Sequence, residues 1–205
     1  MQVENEPKMS PEELEQQEQV EEKEPSKKVD VKKEIISWIT TLGVAVLAAL
    51  LIRTFIFEPI RVDGSSMADT LQDGEVMIVT KPEYLFGDPE FGDIVICKYP
   101  GRKENFVKRI MGVPGDEIAI IANTVFRNGE AIEEPYLTPD RNNNGFTMMP
   151  IKLAEGEYFV MGDNRDNSND SRTMGRGKPV PLSRDMIIGH VRWVAFPFGS
   201  IRGVE

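Results

Sequence analysis

Nucleophilic chemistry in this chain rests on very few side chains. There is one cysteine, Cys97, and one histidine, His190. A single cysteine permits no intramolecular disulfide and no cysteine-rich metal site, and a Ser-His-Asp triad would have to use His190. Of nine serines, only Ser65 and Ser66 stand in a Gly-containing turn, VDGSSMADTL (62–71), between an apolar segment and a strand-like run. A turn of that kind can present a hydroxyl and a backbone N–H together to a substrate carbonyl. A serine needs a base, and the familiar local arrangements are missing: there is no G-x-S-x-G elbow and no S-x-x-K. His190 follows Gly189 in a strand-like run, where a packed or surface histidine is the expectation.

Lysine is the remaining general base, and Lys108 is the candidate. If Asn105–Met111 is a strand, Phe106, Lys108 and Ile110 share one face, while Val107, Arg109 and Met111 share the other. A lone lysine between two large apolar neighbours is placed where burial disfavours its charged form. Lowering a lysine pKa by ~3 units corresponds to about 4 kcal/mol, which a desolvated site can supply. A snorkelling strand-edge lysine fits the same periodicity. A third cluster, GDNRDNSNDSR (162–172), is dense in hydrogen-bonding side chains. There Ser168 could orient the lysine amine, and an Asp170–Arg172 ion pair could stiffen the loop. Asp140, Asn142, Asn144 and Gly145 satisfy the first half of a calcium loop, but Ile151 stands where the bidentate Glu is required.

These residues need elements to position them. Residues 1–31 read as a disordered acidic tail: 1–26 hold nine Glu against Lys8 and Lys23, most of the chain's net charge of −10. That charge argues against a nucleic-acid partner. Ile35–Ile52 is an uncharged apolar run that as a helix spans about 27 Å, so a single transmembrane helix is expected over 32–57 if Arg53 snorkels. Lys27, Lys28, Lys32 and Lys33 precede it against Arg53 and Arg61 beyond it, which puts the N-terminus in the cytoplasm. Residues 58–205 then lie outside as one β domain with a small insertion around 122–157. Runs at 75–80, 93–99, 105–111, 117–122, 158–161 and 187–196, parted by turn dipeptides such as Asp73-Gly74 and Asn128-Gly129, predict a mainly β, barrel-like or sandwich domain.

Taken together, VDGSSMADTL, FVKRIMGVPGD (106–116) and GDNRDNSNDSR, with FGDIVICKY (91–99) as a fourth block, resemble the type I signal peptidases of bacteria, in the compact form common in Gram-positive species. The resemblance implies a membrane-anchored serine endopeptidase with a signal-peptidase-like β fold. Such an enzyme removes signal peptides from secretory precursors after small residues, at sites of the Ala-x-Ala type. It implies Ser66 as nucleophile and Lys108 as general base, with Ser168, Asp170 and Arg172 in support. Val62, Gly64, Met67, Leu71, Phe106 and Val107 fall on substrate-binding positions. Neither a metal nor a cofactor is implied, and a monomer in the bilayer is expected. Two positions depart from the pattern. Gly64 stands where some members place a hydroxyl that assists the oxyanion, and Asp69 stands where proline is usual, which should loosen the turn after Met67. The competing expectation is a catalytically silent homologue that chaperones the assembly of surface proteins; such a protein would be expected to lack the serine or the lysine.

Overall fold

The computed structural model describes residues 30–99, 101–102, 104–175 and 178–204. The tail expected over 1–31 lies outside the described residues up to position 29, and Val31 already opens a helix, α1 (Val31–Phe55). Glu34 in the first turn and Arg53 in the last suit the helix dipole. Val31–Arg53 is long and apolar enough to cross a membrane, with a mean hydropathy of 2.4 and none of its apolar window buried in the protein. The helix stops short of Phe57, where an extended membrane span was expected. Glu58 precedes Pro59, and the proline ring pushes the preceding residue out of the helical region, so the chain becomes strand β1 (Phe57–Arg61).

The chain divides into two compact units at Leu47/Ala48, and the second carries every strand. In chain order these continue as β2 (Val76–Thr80), β3 (Ile94–Lys98), β4 (Asn105–Gly112), β5 (Glu117–Ile121), β6 (Thr124–Arg127), β7 (Glu130–Ala131), β8 (Met148–Lys152), β9 (Glu157–Met161), β10 (Leu182–Ser183), β11 (Ile187–Phe196) and β12 (Arg202–Gly203). The domain is mainly β, as expected, and is built as two antiparallel sheets. The larger runs β1-β2-β11-β3-β4-β9-β10 with β12 on β11; the smaller runs β7-β6-β5-β8. Register shifts in β11 and near the end of β4 are bulges, which bend strands and curl the larger sheet without closing it. The smaller sheet, Glu117 to Lys152, overlaps the stretch 122–157.

Three apolar clusters hold this arrangement. Val62, Met67 and Leu71 from the serine turn pack with Met77, Val79, Ile96 and Val191 on one face of the larger sheet. Val95, Cys97, Ile110 and Val160 fill the opposite face. Met111, Ile118, Ile120, Phe159 and Met161 join the two sheets. At that junction Gly112 lets the sheets approach closely: a Cβ there would sit 2.7 Å from Ile118 Cδ1 and 2.9 Å from Leu153 Cδ1 and would push those side chains aside.

Candidate active site

Strand alternation puts Lys108 on the same face as Ile110, and pairing of β4 with β3 sets it opposite Val95. It is 1% exposed. Its Nζ lies 2.6 Å from Ser66 Oγ and donates to the Val107 carbonyl at 2.9 Å. Burial pushes the lysine pKa down from its ordinary range, against the pull of the nearby negative charge of Asp170. The thiol of Cys97 beside it is pushed up to about 12 by burial, so it stays neutral.

Ser66 is partly exposed at the start of a tight turn. Gly64 supplies the left-handed backbone the turn needs, at φ +94°, and its N–H donates to Asp73 Oδ1 at 2.9 Å. Past the serine, the Leu71 N–H returns to the Met67 carbonyl at 2.7 Å. Among the described residues no hydrogen bond uses the Ser66 N–H. Loop 162–172 grips this turn from the far side. The backbone N–H of Asn164 donates to the Ser66 carbonyl and its side-chain amide to the Ser65 carbonyl, both at 3.0 Å, while Asn167 Nδ2 reaches Ser65 Oγ at 2.9 Å.

Asp170 accepts the Gly162 N–H at 3.0 Å and two guanidinium hydrogens of Arg172, from Nε and Nη2, at 2.9 and 2.8 Å. Burial alone would raise its pKa, but the Arg172 hydrogen bonds and charge hold it below the usual carboxylate range. Ser168 behaves differently from the expectation that it orients the amine. Its Oγ is buried on the Asp170 side and makes no hydrogen bond to the amine; Lys108 Nζ bonds Ser66 and Val107 instead. Asp163, which the sequence reading did not single out, joins β4 to the serine turn: it accepts from Arg109 at 3.1 and 2.9 Å and from Thr70 Oγ1 at 2.5 Å. The available signal was an aspartate two residues past the buried run YFVM, at the head of the polar loop.

A cleft of about 260 Å³ opens beside Ser66. Of the expected lining residues, Val62, Gly64, Met67, Phe106 and Val107 are there, joined by Ile60, Met77 and Ile96. Leu71 is the correction. It is fully buried and packs in the core under the turn, because the turn closing on Met67 points it inward. Arg61, Asp63, Arg102 and Glu104 also line the cleft. His190 stands outside it, with Nδ1 3.2 Å from Glu83 and its ring stacked on Tyr84. The half calcium loop is occupied otherwise: Asp140 lies in a 3-10 helix, η1 (Pro139–Arg141), and the N–H groups of Asn143 and Asn144 donate to Asp166. Among the described residues no group of three or more His, Cys, Asp or Glu could hold a metal.

A hydroxyl against a buried amine, an adjacent unused N–H and an apolar groove suit acyl transfer. Comparison with known proteins points the same way. The family model described as "Signal peptidase, peptidase S26" matches residues 35–196. Signal peptidase I of Bacillus licheniformis is 40% identical over 186 residues, covering 87% of this chain and 98% of that protein. Signal peptidase I T of Bacillus subtilis (strain 168) is 41% identical over 174 residues, 82% of this chain and 88% of that one. A solved signal peptidase I from Enterococcus faecalis V583 aligns with 51% of this chain and 97% of its own, at 27% identity and a TM-score of 0.42.

Proposed function

The chain belongs to the signal peptidase family, peptidase S26, and from that premise we propose that it cleaves secretory precursors after small residues by a Ser66–Lys108 dyad. The observation that carries the reading is the 2.6 Å contact between Lys108 Nζ and Ser66 Oγ at the mouth of the cleft. Neutral Lys108 takes the Ser66 proton as Oγ attacks the carbonyl of the small residue before the cut. The carbonyl oxygen, now negative, is met by the Ser66 N–H. The protonated lysine returns its proton to the departing amine, leaving the signal peptide esterified to Ser66. Water, deprotonated by the same amine, then hydrolyses that ester.

The groove beside Ser66 is walled by Val62, Met67, Ile96 and Val107 and is small, which favours small apolar side chains at the positions before the cut. Helix α1 anchors the chain in the membrane with the N-terminus cytoplasmic and the domain outside, since lysines crowd the side before the helix. A substrate tethered in the same bilayer then meets the site in two dimensions, which raises its effective concentration. The silent-homologue reading is not favoured, because serine and lysine are both present and in contact.

The test is cleavage of a precursor carrying an Ala-x-Ala site by detergent-solubilised protein. Ser66→Ala and Lys108→Ala should each lower kcat by roughly 10³-fold or more, as for other covalent hydrolases that lose a member of the catalytic unit. Undiminished processing by Lys108→Ala would remove the dyad, and an inactive wild type would favour the silent homologue.

A further inference from the structure

Asp69 lies three residues past Ser66 in a conformation that side chains rarely adopt. Its φ is +84°, far from the −65° that proline requires and uncommon for residues with a Cβ, aspartate and asparagine being the most tolerant of it. Such a conformation persists only where the surroundings over-determine it. Here the surroundings are its own carboxylate contacts. Thr138 Oγ1 donates to Asp69 Oδ2 at 2.7 Å, and Arg141 Nε lies 3.3 Å from the same oxygen.

Thr138 stands just before η1 and Arg141 ends it, and the chain beyond η1 leads back to the serine. The Asn143 and Asn144 N–H groups donate to the Asp166 carboxylate at 3.1–3.3 Å. Asp166 sits in a second 3-10 helix, η2 (Arg165–Asn167), whose flanking and terminal residues Asn164 and Asn167 hold Ser65 and Ser66. The hydrogen bonds therefore close a ring that leaves the turn at Asp69 and returns to it at Ser65–Ser66. We infer that Asp69 is a positioning residue: its clasp on Thr138 and Arg141 completes this ring and fixes the direction in which Ser66 presents its Oγ and N–H. The inference rests on the reading of Ser66 as the nucleophile. It also reverses the expectation that a residue other than proline loosens the turn, because side-chain contacts supply the constraint that a fixed φ would otherwise supply.

Two variants break the clasp by different routes. Asp69→Gly keeps the left-handed backbone and removes the carboxylate; the double variant Thr138→Val/Arg141→Ala removes the partners and leaves Asp69 in place. With the full-length protein and the precursor substrate, each should lower kcat about tenfold or more while KM moves less than about twofold, since misplacing a reacting atom affects the chemical step. Combining them should add no further loss, as expected for one coupled unit. Asp69→Asn, which tolerates the backbone and still accepts from Thr138, should recover part of the rate. Asp69→Pro should lose at least as much rate as Asp69→Gly. Unchanged kcat in either clasp variant, multiplying losses in the combination, or a fully active Asp69→Pro would each overturn the inference. Ser66→Ala in the same assay separates the two levels: if it still cleaves, the nucleophile reading falls and takes the clasp with it. If it is inactive while the clasp variants match wild type, the clasp alone falls.

Discussion

Arg109 and Asp163 form a two-point ion pair, Nε and Nη2 on the two carboxylate oxygens, with 3% and 0% of their side chains exposed. The pair links the residue next to Lys108 to the loop that holds the Ser66 carbonyl, and Thr70 ties the serine turn to the same carboxylate. Arg109 also donates to the Gly92 carbonyl and lies over the Tyr136 ring, so little is left unsatisfied. Breaking a buried pair from one side strands the other charge. We predict that Asp163→Asn destabilises the domain by about 3–5 kcal/mol in denaturant unfolding. A loss below about 1 kcal/mol would show that the pair is not structurally required.

Gly162 is the one residue of the loop with no room for a side chain. A Cβ there would overlap the Ser66 carbonyl oxygen and Ser168 Oγ. Gly162→Ala must therefore push the serine turn away from the loop. The expected cost is about 1–3 kcal/mol of stability, typical of overpacking, with a fall in kcat beyond what that instability explains. Crystal structures of the variant, or the rate measured well below its melting temperature, would check it.

With Lys108 as the proposed base, the buried amine should set the pH dependence. Because burial lowers the Lys108 pKa in the folded chain, the unfolded chain binds the proton over a range in which the folded chain does not. Cleavage should rise with pH as the folded amine deprotonates; a rate that is level across neutral and alkaline pH would contradict a lysine base.

The same linkage bears on stability. Lys108 costs the folded state stability below its unfolded pKa, and that cost fades as pH rises through the window between the two values. Lys108→Met, close in shape and without charge, should be inactive yet more stable than wild type near neutrality. Its advantage should shrink by about 1.4 kcal/mol per pH unit within the window. Unfolding of both proteins across the pH range measures the slope, and parallel stability curves would show that the lysine is not buried at a cost.

Much of this protein is legible in its sequence for local reasons. An uncharged run such as Ile35–Ile52 leaves few alternatives to a helix that satisfies its own backbone. The two-residue period of Asn105–Met111 sets Lys108 between Phe106 and Ile110 whatever the rest of the chain does. Strands β2, β3, β4, β5, β9 and β11 announced themselves by β-branched and aromatic runs. Others did not. β1 and β8 contain prolines, and β7, β10 and β12 are two residues long, so each forms because a neighbour offers a ladder, not because its own residues favour one.

The candidate site divides along the same line. The Ser65–Ser66 turn, Lys108 and the polar loop could be named from residue type and spacing, and the family resemblance singled out Ser66. Tertiary structure decided the rest: that Leu71 turns into the core, that Ser168 leaves the amine to Ser66 and Val107, and that Asp163, not a serine, ties the site together. It also gave Asp69 partners about 70 residues away, at Thr138 and Arg141. Periodicity fixes which way a side chain leaves its own strand or helix. Which hydrogen-bonding group it meets depends on how the two sheets and their loops close on one another, and that information is spread over the whole chain.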